Sequence, residues 1–274
     1  MTTLMRISTV GLCLSTLVGL ARADEDIDPV SDEPDGLVAV QRGVQAPKGM
    51  LSARLIVAVE MSADLVGKPI SLAPDIYYGV SDRLQLGLVH TGPMGWQSRP
   101  GLGLCLTGED NGCPAVYDNV GFDVMYGLAF AGALHLSAHG TLYVASFDPS
   151  TVLLAVGAAG KYHVNDDVSL YFDPQLGFAL SDRDVNDDAL FVPLELQFQA
   201  GAPNTLKLLT GFSGSLSELG DTLQIPVGLG VVRNLTEHVD VGARFSFDNL
   251  LGKQLDGVGR ADTRSLALLL ALRN

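Results

Sequence analysis

Apolar side chains recur at every second position through much of this chain, and the clearest example is the segment Val120–Phe130. Its even positions carry Val, Phe, Val, Tyr, Leu and Phe, whereas its odd positions carry Gly, Asp, Met, Gly and Ala. A period of two places these two sets on opposite faces of a β-strand. The segment therefore predicts a strand with one apolar face and one small or polar face.

The same alternation predicts twelve strands in all, with boundaries uncertain by about 2–4 residues. The predicted strands are 51–61, 71–80, 84–91, 119–130, 133–146, 151–163, 167–180, 190–200, 205–213, 221–233, 237–248 and 263–273. Tight turns such as Ser81-Asp82-Arg83 follow the even-numbered strands, and mostly longer loops such as Gly92–Asp118 follow the odd-numbered ones. This arrangement predicts an all-β fold, a single closed antiparallel up-and-down barrel of about twelve strands, with both termini at the tight-turn end.

The first 23 residues have the layout of a cleaved signal peptide. Arg6 supplies positive charge, Ile7–Leu20 is apolar, and Ala21-Arg22-Ala23 fits the small-x-small cleavage rule, so we expect the mature chain to begin at Asp24. An N-terminal membrane anchor is disfavoured, because the apolar stretch is short for a span of about 20 residues. Export combined with alternating strands predicts a transmembrane β-barrel over residues 51–274.

Residues 24–50 form an acidic segment between the signal peptide and the predicted barrel. Asp24–Gly36 contains prolines and almost no apolar side chains, which predicts a largely disordered periplasmic lead-in. Leu37–Gly49 is more apolar. It either enters the barrel as a small plug or approaches its base.

Charge and cysteine content narrow the possible partners. The net charge of the full chain is −14, from 17 basic and 31 acidic residues. Loss of Arg6 and Arg22 with the signal peptide leaves 15 basic residues, so the expected net charge of the mature chain is −16. A strongly acidic chain argues against nucleic acid as a partner. Cys105 and Cys113 remain after cleavage, and in an oxidising compartment they are expected to form a disulfide.

The polar faces of the strands are expected to line a hydrated lumen, because a row of charged side chains cannot face lipid. The predicted lumen-lining residues are Arg54, Glu60, Asp75, Asp123, His135, His139, Lys161, Asp173, Glu195, Lys207, Arg244 and Asp248. Their mixed signs favour pairing across the lumen over strong ion selection. Aromatic residues on the apolar faces predict two interfacial girdles. These are Tyr78, Phe130, Tyr162 and Phe198 near the tight turns, and Phe122, Phe178, Phe212 and Phe247 near the loops.

Two patterns were candidates for ligand chemistry. His135 and His139 lie on the predicted lumen face, but residues i and i+4 of a strand are about 13 Å apart, too far to share one metal ion. A weak calcium candidate follows the spacing of the first EF-hand ligands at Asp182, Asp184, Asn186 and Asp188. However, Asp187 and Pro193 stand where that loop needs Gly and Glu. No catalytic grouping, metal set or cofactor motif emerges, so we expect neither enzymatic activity nor a cofactor.

Two strand–turn–strand segments, Asp75–Leu88 and Tyr162–Phe172, carry a resemblance to a known class. They resemble the hairpin units of Gram-negative outer-membrane β-barrel proteins of the porin-like, channel class. The resemblance covers about residues 51–273 and is one of architecture. It implies a location in the cell outer membrane, with membrane lipid and the assembly machinery as partners. The chain ends in Leu270–Asn274, whereas such barrels commonly end on an aromatic residue.

The polar lumen favours a narrow channel for small hydrophilic solutes as the function. The main alternative is a non-conducting structural or interaction barrel that acts through its extracellular loops. A membrane-embedded hydrolase and a soluble secreted barrel are the remaining, less favoured hypotheses.

Overall fold

The computed structural model describes residues 38–62, 65–97, 100–254 and 259–274, which form one antiparallel sheet of fourteen strand segments. Two segments are halves of one wall strand, and the two-residue strand Leu104–Cys105 lies on a loop, so the wall has twelve strands. These are β1 Leu51–Glu60, β2 Ile70–Gly79, β3 Leu84–Val89, β4 Val120–Ala131, β5 Leu134–Phe147, β6 Ser150–Asn165, β7 Val168–Phe172 with Gln175–Ala179, β8 Ala189–Gln199, β9 Asn204–Ser215, β10 Val227–Thr236, β11 Val239–Phe247 and β12 Arg264–Arg273.

The sheet closes on itself through β1, in which Ser52 pairs with Tyr77 of β2 on one side and with Arg273 of β12 on the other. Every other wall strand pairs with its neighbours in sequence. Closure leaves no edge strand, so the backbone polar groups of the wall are satisfied internally, as a lipid environment requires. The predicted closed up-and-down barrel is confirmed.

Helices in the described residues are short. The loop before β10 contains the helix α1, Leu219–Thr222, and two 3₁₀ turns cover Gly95–Gln97 and Glu109–Asn111. No helix in the described ranges is long and apolar enough to cross a membrane.

Two predicted strands differ from the observed ones for local reasons. The tenth was predicted from residue 221 but begins at Val227, because α1 occupies part of that stretch. The seventh is interrupted at Asp173 and Pro174. Pro174, and Pro193 on the neighbouring strand opposite Asp173, have no N–H group to donate to the ladder, although the Asp173 N–H still reaches the Pro193 carbonyl at 3.2 Å.

The outer surface of the wall is apolar, and the inner surface is mostly polar. Outward-facing Phe122, Tyr162 and Leu229 are 52%, 47% and 68% exposed, whereas inward-facing Asp75 and Ser169 are fully buried. This division follows the alternation in sequence, since successive side chains of a strand point to opposite faces.

Phe130 is an exception, and its prediction as a girdle residue is wrong. A β-bulge between Gly127 and Ala129 shifts the register of β4, so that Phe130 pairs with His135, on the lumen side. Its ring covers Gly127, where an added Cβ would clash with the ring. A bulge adds one residue to one strand and thereby reverses the facing of those beyond it.

Candidate functional site: the barrel lumen

Residues 38–49, here called the plug segment, lie inside the barrel at the tight-turn end. Val40 is fully buried, the Lys161 amino group donates to the Ala39 carbonyl at 2.6 Å, and the Ala46 N–H donates to Gln85 Oε1 at 2.6 Å. Of the two expectations for this stretch, the plug describes the structure. The predicted lead-in reached residue 50, but its described part packs against the wall. The signal peptide and the segment 24–37 lie outside the described residues.

Arg42 attaches the plug segment to the wall through Asp240. Arg42 Nη1 lies 2.5 Å from Asp240 Oδ2, and Arg273 Nη1 lies 2.7 Å from the same oxygen. Asn234 donates to the other carboxylate oxygen at 2.6 Å. Asp240 is only 3% exposed. One buried carboxylate of β11 therefore binds one guanidinium of the plug segment and one of the wall.

Residues 91–97, here called the inner loop, fold from the loop end into the lumen. Thr91 Oγ1 donates to Asp75 at 2.7 Å near the start of this segment. At its far end, Trp96 Nε1 donates to Glu195 Oε1 at 2.7 Å, and Arg244 donates to the Trp96 carbonyl. The inner loop thus reaches from β2 to β8 and β11, and it narrows the lumen from the side opposite to the plug segment.

Trp96 also packs against an apolar sector of the lumen, which the sequence analysis missed. The indole is buried at 6% exposure in a cluster formed by Ile56, Ala73, Leu209, Val232 and Ala267 of the wall. A signal was present, because Leu55–Val59 and Leu266–Leu272 are apolar at nearly every position rather than at alternate ones. Such continuous runs are typical of strands with both faces covered.

The polar sector of the lumen centres on His139, which lies between two carboxylates. Its Nε2 is 2.5 Å from Asp123 Oδ2, and its Nδ1 is 2.9 Å from Asp173 Oδ1. Thr141 donates to Asp123 at 2.8 Å, and the Gln175 amide donates to Asp173 at 3.0 Å. Strands β4, β5 and β7 thereby hold these groups in one fixed arrangement.

Other lumen charges pair along the wall. Arg54 of β1 and Asp75 of β2 approach to 2.8 Å, as do Lys207 of β9 and Glu195 of β8. The prediction of pairing is right in kind, but these partners stand on adjacent strands rather than across the lumen. Adjacent strands are only about 4.8 Å apart. Side chains on neighbouring strands can therefore form an ion pair without extending across the lumen.

A cavity of about 330 Å³ remains between the plug segment, the inner loop and the wall. Arg42 and Trp96 border it from the two obstructions, and Asp123, His139 and Lys207 border it from the wall. Its volume is at the lower end of the range for small-molecule pockets. The cavity can accommodate a small polar molecule in contact with charged groups and with the aromatic rings of Trp96, Tyr77 and Tyr171.

The remaining predicted lumen residues have local roles. Glu60 accepts from the Ser62 N–H at 3.0 Å at the loop end, and Asp248 accepts from Ser265 at 3.2 Å. The His135 ring lies 5.8 Å from the Phe130 ring and 5.2 Å from the His163 ring, centroid to centroid. His135 and His139 thus have separate surroundings.

The calcium candidate is not assembled as a ligand set. Asp188 Oδ2 pairs with Arg183 at 3.0 Å, and its Oδ1 accepts from the Ala179 N–H at 3.1 Å. Within the described ranges, no group of three or more His, Cys, Asp or Glu residues could hold a metal ion. Cys105 and Cys113 form a disulfide with a Cα–Cα distance of 5.8 Å.

Comparison with known proteins places the fold among outer-membrane barrels. No protein-family model and no curated protein matches this sequence. Among solved structures, the NanC porin has a TM-score of 0.55 at 6% identity, covering 80% of this chain and 97% of its own. The KdgM porin has a TM-score of 0.53 at 8% identity, covering 81% and 98%. An outer membrane channel from Pseudomonas putida F1 has a TM-score of 0.53 at 12% identity, covering 89% and 100%. The chain therefore has the fold of outer-membrane porins and channels.

Proposed function

We propose that the protein is a narrow channel for small hydrophilic solutes in the outer membrane, where lipid and the assembly machinery are its other partners. The observation that supports this proposal is a cavity of about 330 Å³ inside a closed barrel. The paired side chains of Asp123 and His139 border this cavity. A polar solute that enters such a cavity loses part of its hydration shell. Contacts with the charged side chains that line the cavity replace the lost hydration.

The similar structures support the same function. Porins and a channel share the fold, and one structure at 7% identity and a TM-score of 0.51 is described as the KdgM porin in complex with disordered oligogalacturonate. A barrel of this architecture can therefore take up a hydrophilic solute in that protein.

The alternative is a non-conducting barrel that acts through its external loops. The two obstructions favour this alternative, because the plug segment and the inner loop enter the same lumen from opposite ends and both bond to its wall. The two functions differ in whether the plug segment can leave the lumen.

Planar-bilayer recordings on two shortened chains decide between these functions. We expect a chain that lacks residues 24–49 to show conductance steps at least several-fold larger than those of the full mature chain, because the lumen at the tight-turn end is then clear. A chain that lacks only residues 24–37 is the matched control, since it keeps the plug segment and should behave as the full chain does. Heat-modifiable migration in gels verifies that each barrel is folded. If the full mature chain and the chain lacking residues 24–37 are folded and never conduct, the non-conducting alternative is correct, whatever the chain lacking residues 24–49 does.

A further inference from the structure

The loop end of the barrel is acidic. Its connections, residues 61–69, 90–119, 148–149, 180–188, 216–226 and 248–263, contain 14 acidic and 5 basic residues, a net charge of −9. The tight-turn connections and residues 38–50 together contain 4 acidic and 3 basic residues, a net charge of −1, and the preceding segment 24–37 adds seven acidic residues to the mature chain. A mouth lined by one sign of charge raises the local concentration of the opposite ion. The loop end therefore attracts cations.

Hydrogen bonds stabilise the ionised form of one acidic group at the loop end, Asp187. In the loop after β7, the Ser217 and Ser215 hydroxyls donate to Asp187 at 2.7 and 2.8 Å. These hydrogen bonds stabilise the carboxylate and lower the pKa of Asp187. Asp182 and Asp184 of the same loop are exposed to solvent.

The polar sector continues this negative charge into the lumen. Arg54 is matched by Asp75, and Lys207 is matched by Glu195. By contrast, Asp123 and Asp173 share the single imidazole of His139. Even with that imidazole protonated, two carboxylates against one cation leave an excess of one negative charge within this group of three side chains, whereas Lys161, Arg42 and Arg273 border the cavity from the side of the plug segment.

Two acceptor atoms in this sector have no hydrogen-bond donor within the described protein. They are Asp123 Oδ1 and Gln175 Oε1, on side chains of residues that are 3% and 2% exposed and that both line the cavity. A buried acceptor without a donor is costly, so each such group in a protein needs an explanation. A cation or a cationic N–H donor supplies what both atoms lack.

Lumen cations gather instead at the tight-turn end. Arg42 and Arg273 share the single carboxylate of Asp240, and Lys161 binds the Ala39 carbonyl. Arg42 belongs to the plug segment and not to the wall. Between the loop end and the plug segment, Arg244 binds the Trp96 carbonyl, whereas Asp123 and Asp173 share one imidazole, so this part of the wall is the less positive one.

We propose that the channel selects small cations, such as potassium or solutes bearing an ammonium group, and that Asp123 and Asp173 are the selectivity residues. This inference rests on the proposed function, since it assigns the charge of the permeating solute. It involves no chemical step, only passage and transient binding.

The test is the reversal potential in a tenfold potassium chloride gradient at low ionic strength, measured on the full mature chain and on the chain lacking residues 24–49. We expect potassium to be at least ~3-fold more permeant than chloride in the shortened chain, whose lumen lacks Arg42. Raising the salt to about 1 M should weaken the preference, since the Debye length falls to about 3 Å.

Charge-neutralising variants locate the selectivity. Asp123→Asn should lower the potassium-to-chloride permeability ratio at least about twofold, whereas Asp166→Asn, the same change in an exposed tight turn, should leave it unchanged. The double variant Asp182→Asn/Asp184→Asn changes only exposed loop groups, so it tests the mouth even if Asp123→Asn does not fold.

A permeability ratio near one, or a preference for chloride, in a chain that conducts would overturn this inference and leave the proposed channel intact. Equal ratios for all three variants and the unchanged protein would also overturn it. Absence of conductance from both folded chains would overturn the proposed function and this inference together.

Discussion

The plug segment and the inner loop narrow the same lumen, but different forces hold them. The plug segment bonds to the wall through polar groups, Arg42 to Asp240, Ala39 to Lys161 and Gln45 to Ser137, and it adds the small side chain of Ala39 to the apolar cluster around Trp96. Asp240 keeps Arg273 and Asn234 as partners if Arg42 leaves.

The inner loop, by contrast, covers apolar surface. Displacement of the inner loop from the lumen would expose Ile56, Leu209 and Val232 to water. It would also deprive Arg244 of the Trp96 backbone carbonyl. Burial of apolar area contributes about 25 cal/mol per Å², whereas a polar contact that water can replace contributes little. The comparison therefore indicates that the inner loop is a fixed constriction and the plug segment a displaceable one.

The largest expected loss of stability follows the substitution of Trp96 by Ala. We expect the free energy of unfolding to fall by about 3–5 kcal/mol, because a buried aromatic side chain and its packing are both lost. Trp96→Phe is the matched control and should cost about 1–2 kcal/mol, since it keeps most of the apolar area but loses the N–H donated to Glu195. Circular dichroism during denaturant unfolding measures both. Equal losses for the two variants would show that the hydrogen bond, and not the apolar sector, holds the inner loop.

A smaller effect is expected when Cys105 and Cys113 are both replaced by Ser. The disulfide closes a short stretch of the loop outside the lumen, so we expect a loss of about 2 kcal/mol or less. The inner loop should stay in place, because Asp75, Glu195 and the apolar sector hold it. Trp96 is the only tryptophan of the chain, and its fluorescence reports its position directly. A strong gain in its quenching by acrylamide would mean that the disulfide, rather than the lumen contacts, fixes the constriction.

The smallest effect on stability is expected for Arg42→Ala. Asp240 retains two partners, so the free energy of unfolding should fall by no more than about 1 kcal/mol, while conductance rises toward that of the chain lacking residues 24–49. Arg273→Ala removes the wall cation from the same carboxylate and should destabilise the barrel more without opening it. A large loss of stability with no change in conductance for Arg42→Ala would contradict the view that the plug segment is displaceable.

Much of the wall could be predicted from sequence, because its pattern is local. Alternation between neighbours determines the facing of Asp123 and Phe122, and the position of each tight turn determines which strands pair. The errors have local causes that alternation does not encode. The bulge between Gly127 and Ala129 turned Phe130 inward, and α1 delayed the start of β10.

The candidate site was only partly predictable. The charged lumen residues were identified, because a polar side chain on an otherwise alternating strand can only face water. Their partners were not identified, because Arg42 and Asp240 are 198 residues apart and Trp96 and Glu195 are 99 apart, with no pattern that links them. The apolar sector was missed because alternation was taken to hold on every strand.

The sequence by itself determined a closed barrel with an apolar outside and a charged inside, since a period of two and the lengths of the connections are enough to specify strands and their order. Only the tertiary structure decided what occupies that inside. Closure of the sheet brings Trp96 against Ile56 and Leu209, and Arg42 against Asp240. Those contacts depend on the radius and register of the whole barrel, which no single segment contains.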